Sequence, residues 1–145
     1  MVSSIFRTSD DIGAFIARIA LGIVILPHGL QKLLGLFGGP GFSGTVDYFV
    51  SSGLPAFVAI LIIIGESFGA LGLILGFLSR LAALGITIIM LGAIITVHLQ
   101  NGFFMNWDGS KAGEGFEFHL LAIGLALIVL IKGGGIWSVD GAIAK

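Results

Sequence analysis

A single carboxylate in the middle of an apolar stretch constrains this chain more than any other feature. The stretch covers residues 54–78, and Glu66 has twelve of its residues on either side. At about 1.5 Å per residue, a helix of this length places Glu66 near the midplane of any layer that it crosses. A charge at that depth costs about 3 kcal/mol or more. It is tolerated only if it is protonated, faces the protein interior or has a charged partner. We therefore expect other helices to cover Glu66.

The composition indicates a membrane protein. Of the 145 residues, 57% are hydrophobic and 10% are charged, whereas soluble domains carry about 25% charged residues. A helix that crosses a bilayer needs about 20 residues, and four apolar runs approach or exceed that length. We predict an all-α, integral-membrane four-helix bundle that forms a single domain over residues 1–145. The expected spans are residues 12–36, 54–78, 81–99 and 116–132.

Several classes of protein and site are excluded. The first apolar run follows two aspartates, is longer than the core of a secretory signal and lacks a cleavage site, so we expect a retained first helix. A net charge of −1 indicates no nucleic-acid partner. The chain contains no cysteine, which excludes disulfides, thiol catalysis and cysteine-ligated clusters.

The basic residues predict the orientation. With four spans, the two termini and the turn near residue 80 share one side of the membrane. That side has five basic residues, whereas the other has only Lys32 and Lys111. Basic residues favour the cytoplasmic side, so we expect both termini in the cytoplasm and a multi-pass protein of the inner membrane. The five are Arg7, Arg18, Arg80, Lys132 and Lys145.

The first two spans carry the groups that define the interior. Arg18 and Lys32 share a polar stripe on the first span and are, with a histidine, the candidate charge partners of Glu66. The second span has glycines spaced by four, three and four residues, a pattern that allows a neighbouring helix to approach closely. They are Gly65, Gly69, Gly72 and Gly76.

Titratable residues from several spans gather in the outer half of this bundle. His28 and Lys32 end the first span and His98 ends the third. Glu117 and His119 begin the fourth; they are two residues apart, so on a helix they point about 200° from each other and only one faces the bundle squarely.

Three chemistries fit these groups. A quinone or related aromatic needs apolar walls, hydrogen-bond donors and a proton relay, which His, Lys and Glu supply. A metal site would use two or three histidines and a carboxylate, but no tightly spaced histidine pair exists here. A haem between two histidines is the third possibility. Against all three stands a purely structural interior, in which Glu66 is protonated and bonds a backbone carbonyl.

The order and spacing of these residues resemble the DoxX family along nearly the whole chain. The shared motifs are Arg18-x-x-x-Gly22, His28-Gly29-x-x-Lys32, Gly65-Glu66, Leu75-Gly76-x-x-x-Arg80-x-Ala82-Ala83, Met90-x-x-Ala93, His98-x-x-x-Gly102-Phe103 and Ser138-x-Asp140. The family consists of small four-helix membrane proteins. It is named after a subunit associated with thiosulfate:quinone oxidoreductase, and its members are described as oxidoreductases.

The resemblance implies quinone-linked redox chemistry. We expect an inner-membrane oxidoreductase, or a subunit of one, in which Glu66 and His98 handle protons. The expected substrate-binding residues are Arg18, His28, Lys32, Glu117 and His119. The expected partners are membrane lipid, a quinone or small aromatic, a soluble or membrane oxidoreductase and possible further copies of the chain. The alternative is a non-enzymatic membrane subunit or small-molecule carrier whose polar interior is structural.

Overall fold

The computed structural model describes residues 2–144, and this part of the chain is helical with no strand. The all-α prediction is therefore confirmed. Lys145, which was counted among the cytoplasmic basic residues, lies outside the described part. The helices are α1 (Val2–Ile5), α2 (Ile12–Leu34), α3 (Gly41–Ser51), α4 (Ala56–Leu75), α5 (Ser79–Asn101), α6 (Glu117–Lys132) and α7 (Val139–Ile143).

Three of these helices, α2, α4 and α5, are long and apolar enough to cross a membrane. The fourth predicted span corresponds to α6, which has 16 residues and is about 24 Å long at 1.5 Å per residue. It packs along α5 and α2. The structure thus has the four packed helices of the predicted bundle, while the crossing of the membrane by α6 stays a prediction.

Local signals in the sequence set both ends of α2. Asp11 caps its first turn, with a carboxylate oxygen accepting from the Ala14 backbone N–H at 2.8 Å. The Lys132 ammonium also pairs with this carboxylate, and its hydrogen bond lowers the pKa of Asp11. At the other end Gly35 adopts a φ of 72°, a left-handed conformation that glycine adopts without steric cost. The helix therefore ends two residues earlier than its predicted span.

A buried carboxylate from α7 holds the turn between α4 and α5. Asp140 is 1% exposed, and its two oxygens accept from the backbone N–H groups of Leu78 at 2.7 Å and Ser79 at 2.8 Å. These are unpaired donors at the start of a helix, where a negative charge is favoured. The C-terminal segment therefore clamps the α4–α5 hairpin at its closed end.

Arg18 ties the same end of the bundle together. It is 1% exposed and donates only to backbone carbonyls, at 2.6 to 3.2 Å. The five acceptors are the carbonyls of Leu73, Ile74, Gly134, Ile136 and Trp137. One guanidinium on α2 thus satisfies the last turn of α4 and the loop that follows α6. The groups predicted to share one side of the membrane do meet at one end of the molecule.

The closest helix contact involves the glycines of α2 and not those of α4. A Cβ added to Gly29 would lie 2.3 Å from the Glu66 backbone oxygen, and one added to Gly22 would lie 2.9 Å from that of Ala70. On α4, a Cβ added to Gly65 would lie 2.6 Å from the Ile89 side chain of α5, whereas Gly69 has open space to 4.0 Å. The prediction that the glycines of the second span admit a neighbouring helix therefore holds at Gly65 and not at Gly69. The contact of backbone against backbone comes from α2, because spacing marks a smooth face but does not identify the helix that needs it.

The first prediction concerns Arg18. The variant Arg18→Lys has three donors where the guanidinium has five, and it leaves buried carbonyls without partners at about 1–3 kcal/mol each. We expect the free energy of unfolding in detergent to fall by about 3 kcal/mol. Arg7→Lys, at an exposed position, is the matched control and should change it by less than about 0.5 kcal/mol. Equal stability of the two variants would contradict the role assigned to Arg18.

The second prediction concerns the α2–α4 contact. Gly29→Ala places a methyl group against the backbone of Glu66, so we expect a loss of about 1–3 kcal/mol in the free energy of unfolding. Gly124→Ala adds the same methyl group to α6 where nothing lies within 4 Å. There the better helix propensity of alanine should raise stability by up to about 1 kcal/mol. Thermal unfolding of both variants in one detergent measures the difference in sign.

Candidate functional site

A large cavity occupies the half of the bundle away from the α4–α5 turn. Its volume is about 790 Å³, within the range of about 300–1,000 Å³ that is typical of small-molecule sites. Side chains of α2, α3, α4, α5 and α6 form its walls, and most of them are apolar. The titratable residues on its wall are His28, Lys32, Tyr48, Glu66, Glu114, His98 and His119.

Glu66 has a charged partner from α2. The Lys32 ammonium donates to the Glu66 carboxylate at 2.6 Å, and the two side chains are 23% and 7% exposed. Lys32 is held in place by α3, because the Thr45 hydroxyl donates to the Lys32 carbonyl oxygen at 3.2 Å. Two opposite charges in contact can stay ionised where neither would be stable alone. Of the candidate partners for Glu66, the structure selects Lys32.

Arg18 lies too far along α2 to join this pair. It precedes Lys32 by fourteen residues, or about 21 Å of helix, and its donors are used by the carbonyls at the clamped end. Arg18 also lies outside the cavity wall. The prediction that it pairs with Glu66 is therefore wrong. The polar stripe identified the correct face of α2, but a stripe does not say which of its residues reaches the site.

His98 and His119 contact each other across α5 and α6. Their ring centroids are 4.1 Å apart. His98 Nδ1 lies 2.9 Å from the Glu114 carbonyl oxygen, which fixes its ring. His119 is 6% exposed, and its Nδ1 has no hydrogen-bond partner. A buried polar nitrogen without a partner is costly, so this atom marks a place where a ligand group or water would bind favourably.

The Glu117 carboxylate binds the loop before α6 and not the cavity. It accepts from the Met105 backbone N–H at 2.9 Å and from the Trp107 indole N–H at 3.3 Å, and it does not line the cavity. The predicted opposition of Glu117 and His119 on one helix holds, and His119 is the one that faces the bundle. The prediction of Glu117 as a ligand-binding residue is not supported by its position, since the carboxylate orders the loop before α6.

Both proposed proton-handling residues lie where the helix widens. Gly65–Gly69, which contains Glu66, and Ile94–His98, which ends in His98, are π-helical turns within α4 and α5. Such turns insert a residue into the regular ladder and recur at functional sites. A π-helical turn leaves one backbone carbonyl without a good hydrogen-bond partner, and it rotates the side chains that follow about the helix axis. Nothing in the apolar pattern of the sequence predicts either turn.

Helix α3, which lies between α2 and α4 in the chain, closes one side of the cavity. Tyr48 and Phe49 line the cavity, and Thr45 is buried at 2% exposure. The contribution of Tyr48 and Thr45 was missed, although their spacing of three and that of Thr45 and Phe49 of four are the expected signal for one buried helix face.

A metal site finds no support in the geometry of the described part of the chain. Within residues 2–144, no three His, Asp or Glu side chains form a group that could hold a metal ion.

Comparison with known proteins gives this arrangement a context. The DoxX family model matches residues 13–99, which run from the first turn of α2 to the end of α5 and include Glu66, Lys32 and His98. No solved structure matches the chain significantly.

Curated relatives extend the match over most of the chain. It is 35% identical over 82% of its length to "Putative oxidoreductase CatD" of Bacillus subtilis, covering 79% of that protein. It is 30% identical over 94% of its length to "Inner membrane protein YqjF" of Escherichia coli, covering 95% of it. A third relative, "Inner membrane protein YphA" of Escherichia coli, is 29% identical, with 93% of each chain covered. The chain is therefore a multi-pass inner-membrane protein that belongs to the DoxX family.

Proposed function

We propose that this protein is an inner-membrane oxidoreductase, or a subunit of one, that binds a quinone or related small aromatic in the cavity enclosed by α2, α3, α4, α5 and α6. The observation that carries the proposal is an apolar cavity of about 790 Å³ whose wall holds an ammonium–carboxylate pair and two histidines. An apolar site with a few convergent polar groups is the usual form of a small-molecule site. The oxidoreductase name of one relative supports the same class.

The polar groups match the needs of a ligand with two ring oxygens. Lys32 keeps donors beyond the one that it gives to Glu66, because an ammonium has three. His119 has an unpartnered Nδ1 that suits an oxygen carrying or accepting a proton. Lys32 and His119 belong to different helices on the same cavity wall, so a flat aromatic ring between them would meet polar atoms from two directions and apolar side chains on its faces.

The same groups supply protons. A quinone accepts two electrons and two protons to become a quinol. Glu66 and Lys32 are hydrogen-bonded at 2.6 Å. The pair can transfer a proton to the ligand and take up another proton from the outer side of the membrane. His98, beside His119 and close to the outer loop, offers a second route. The chain has no cysteine, so no thiol of its own can relay the electrons, and we assign their delivery to a partner oxidoreductase.

The third prediction tests the ion pair by binding of menadione, a quinone without a tail, to the purified protein. Glu66→Gln leaves the partly buried Lys32 ammonium without its charged partner, which lowers stability, and we expect the affinity for menadione to fall at least tenfold. Asp47→Asn makes the same chemical change at an exposed position of α3 and should leave affinity unchanged within twofold. Equilibrium dialysis measures both.

A double variant separates this proposal from a purely structural ion pair. Lys32→Gln combined with Glu66→Gln removes both charges together, and a neutral pair is often as stable as a buried ion pair. The proposal expects stability to recover while menadione binding stays lost. Recovery of both stability and binding would favour the alternative, a carrier or subunit whose polar interior is structural.

The fourth prediction concerns His119. His119→Phe keeps a ring of similar shape but removes the unpartnered nitrogen, so we expect the protein to be at least as stable as before. The affinity for menadione should fall by up to about tenfold, as expected for one lost hydrogen bond. His28→Phe makes the same change at an exposed ring of the cavity wall, and it should weaken binding less than His119→Phe because His28 is not buried. A fully retained affinity in His119→Phe would remove this residue from the site.

A further inference from the structure

The cavity is longer than the polar site at its outer end. Its wall runs along α5 from Gly85 to His98, thirteen residues, or about 20 Å of helix. Ile89 lies against Gly65, next to Glu66 in the chain. Gly85, one turn earlier in α5, therefore lies about 6 Å beyond that level toward the clamped end. The polar groups occupy one end of an elongated space whose other end is apolar.

This apolar part opens on the outside of the bundle. Leu61 of α4 and Ile88 of α5 both line the cavity, and they are also 59% and 61% exposed. Residues that face both the cavity and the surroundings form the rim of an opening. In a membrane protein such a surface contacts lipid, so the opening between α4 and α5 faces the hydrocarbon of the bilayer.

The opening follows from how the two helices pack. They are joined at a clamped turn and contact each other as far as the π-helical turn Gly65–Gly69, whereas the outer part of α4, Ala56–Ile64, packs mainly on α3 and α2. On α5, Gly85 and Gly92 line the cavity, and a Cβ added to either would meet nothing within 4 Å. These glycines therefore serve no close helix contact; their missing side chains are part of the space.

We infer that the slot between α4 and α5 binds the hydrocarbon tail of a membrane-dissolved quinone, which enters laterally from the bilayer with its ring leading toward Lys32 and His119. This inference rests on the proposed function and names its substrate class: a quinone with an isoprenoid tail, in preference to a tail-less or water-soluble aromatic. The apolar slot runs without interruption into the polar end of the same cavity. A single molecule with an apolar tail and a polar ring matches both parts.

The polar end distinguishes this occupant from the acyl chain of an ordinary phospholipid. A phospholipid carries its charged phosphate in the headgroup layer, whereas the buried Nδ1 of His119 and the Lys32–Glu66 pair call for a compact neutral group with hydrogen-bonding oxygens. A phospholipid chain would fill the slot and leave that nitrogen unpartnered. A quinone ring reaches it.

The test compares two probes with the same ring, menadione and its phytyl-tailed form, phylloquinone, on the full chain. Gly85→Leu fills the apolar end of the slot where no atom needs to move. We expect phylloquinone affinity to fall at least tenfold while menadione affinity stays within twofold, because Gly85 lies on the far side of the Glu66 level from the polar end. Gly124→Leu adds the same side chain to an open glycine of α6 that does not line the cavity. It should change neither affinity.

The outcomes separate the inference from the proposal on which it rests. If the parent chain binds neither probe, both fail. If it binds menadione, and Gly85→Leu either weakens both probes equally or spares phylloquinone, the tail slot is overturned and the proposed function remains. Mass spectrometry of the purified protein gives a further readout: phospholipid that is lost in Gly85→Leu with unchanged phylloquinone affinity would assign the slot to a lipid chain.

Discussion

The ion pair between Lys32 and Glu66 is the interaction on which the rest of this structure depends. Each charge alone would be unfavourable in an apolar layer, and together at 2.6 Å they become tolerable. The pair fixes the level at which α2 and α4 meet, and Gly29 allows that meeting because it brings the backbone of α2 against the backbone of Glu66. Thr45 then holds the carbonyl of Lys32 from α3. Register, helix contact and the position of α3 all follow from one pair.

The two ends of the bundle use polar groups in opposite ways. At the clamped end, Arg18 and Asp140 are both 1% exposed and direct their hydrogen bonds to backbone groups that helix ends leave unpaired. The hydrogen-bonding capacity of these two side chains is therefore used to hold the fold together. At the other end, Lys32 retains free donors and His119 has an unpartnered nitrogen. Arg18 and Asp140, whose donors and acceptors are engaged by the backbone, make one end a rigid base. The open donors of Lys32 with the unpartnered nitrogen of His119 make the other end a receptive site.

The sequence predicted those features that depend on local chemistry. Apolar run length identified the helices, although the predicted first span ran two residues past Leu34, where Gly35 ends α2. The cost of an isolated carboxylate required a partner for Glu66. It did not predict features set by packing between helices. The π-helical turns at Glu66 and His98 are shifts in register that tertiary contacts stabilise, and the hydropathy of these stretches is uniform. The assignment of Arg18 to Glu66 was wrong because a helical stripe gives direction around an axis but no depth along it.

The placement of the π-helical turns links the rigid end to the receptive one. A helix clamped at one end and widened near its middle changes the direction of its side chains beyond that point without breaking its hydrogen-bonded ladder. In α4 the widening falls at Gly65–Gly69, just where contact with α5 ends, and the outer part of the helix turns toward α3. In α5 it falls at Ile94–His98 and brings His98 against His119. The cavity therefore exists because two helices that are held together at the turn each change register before they reach the outer side.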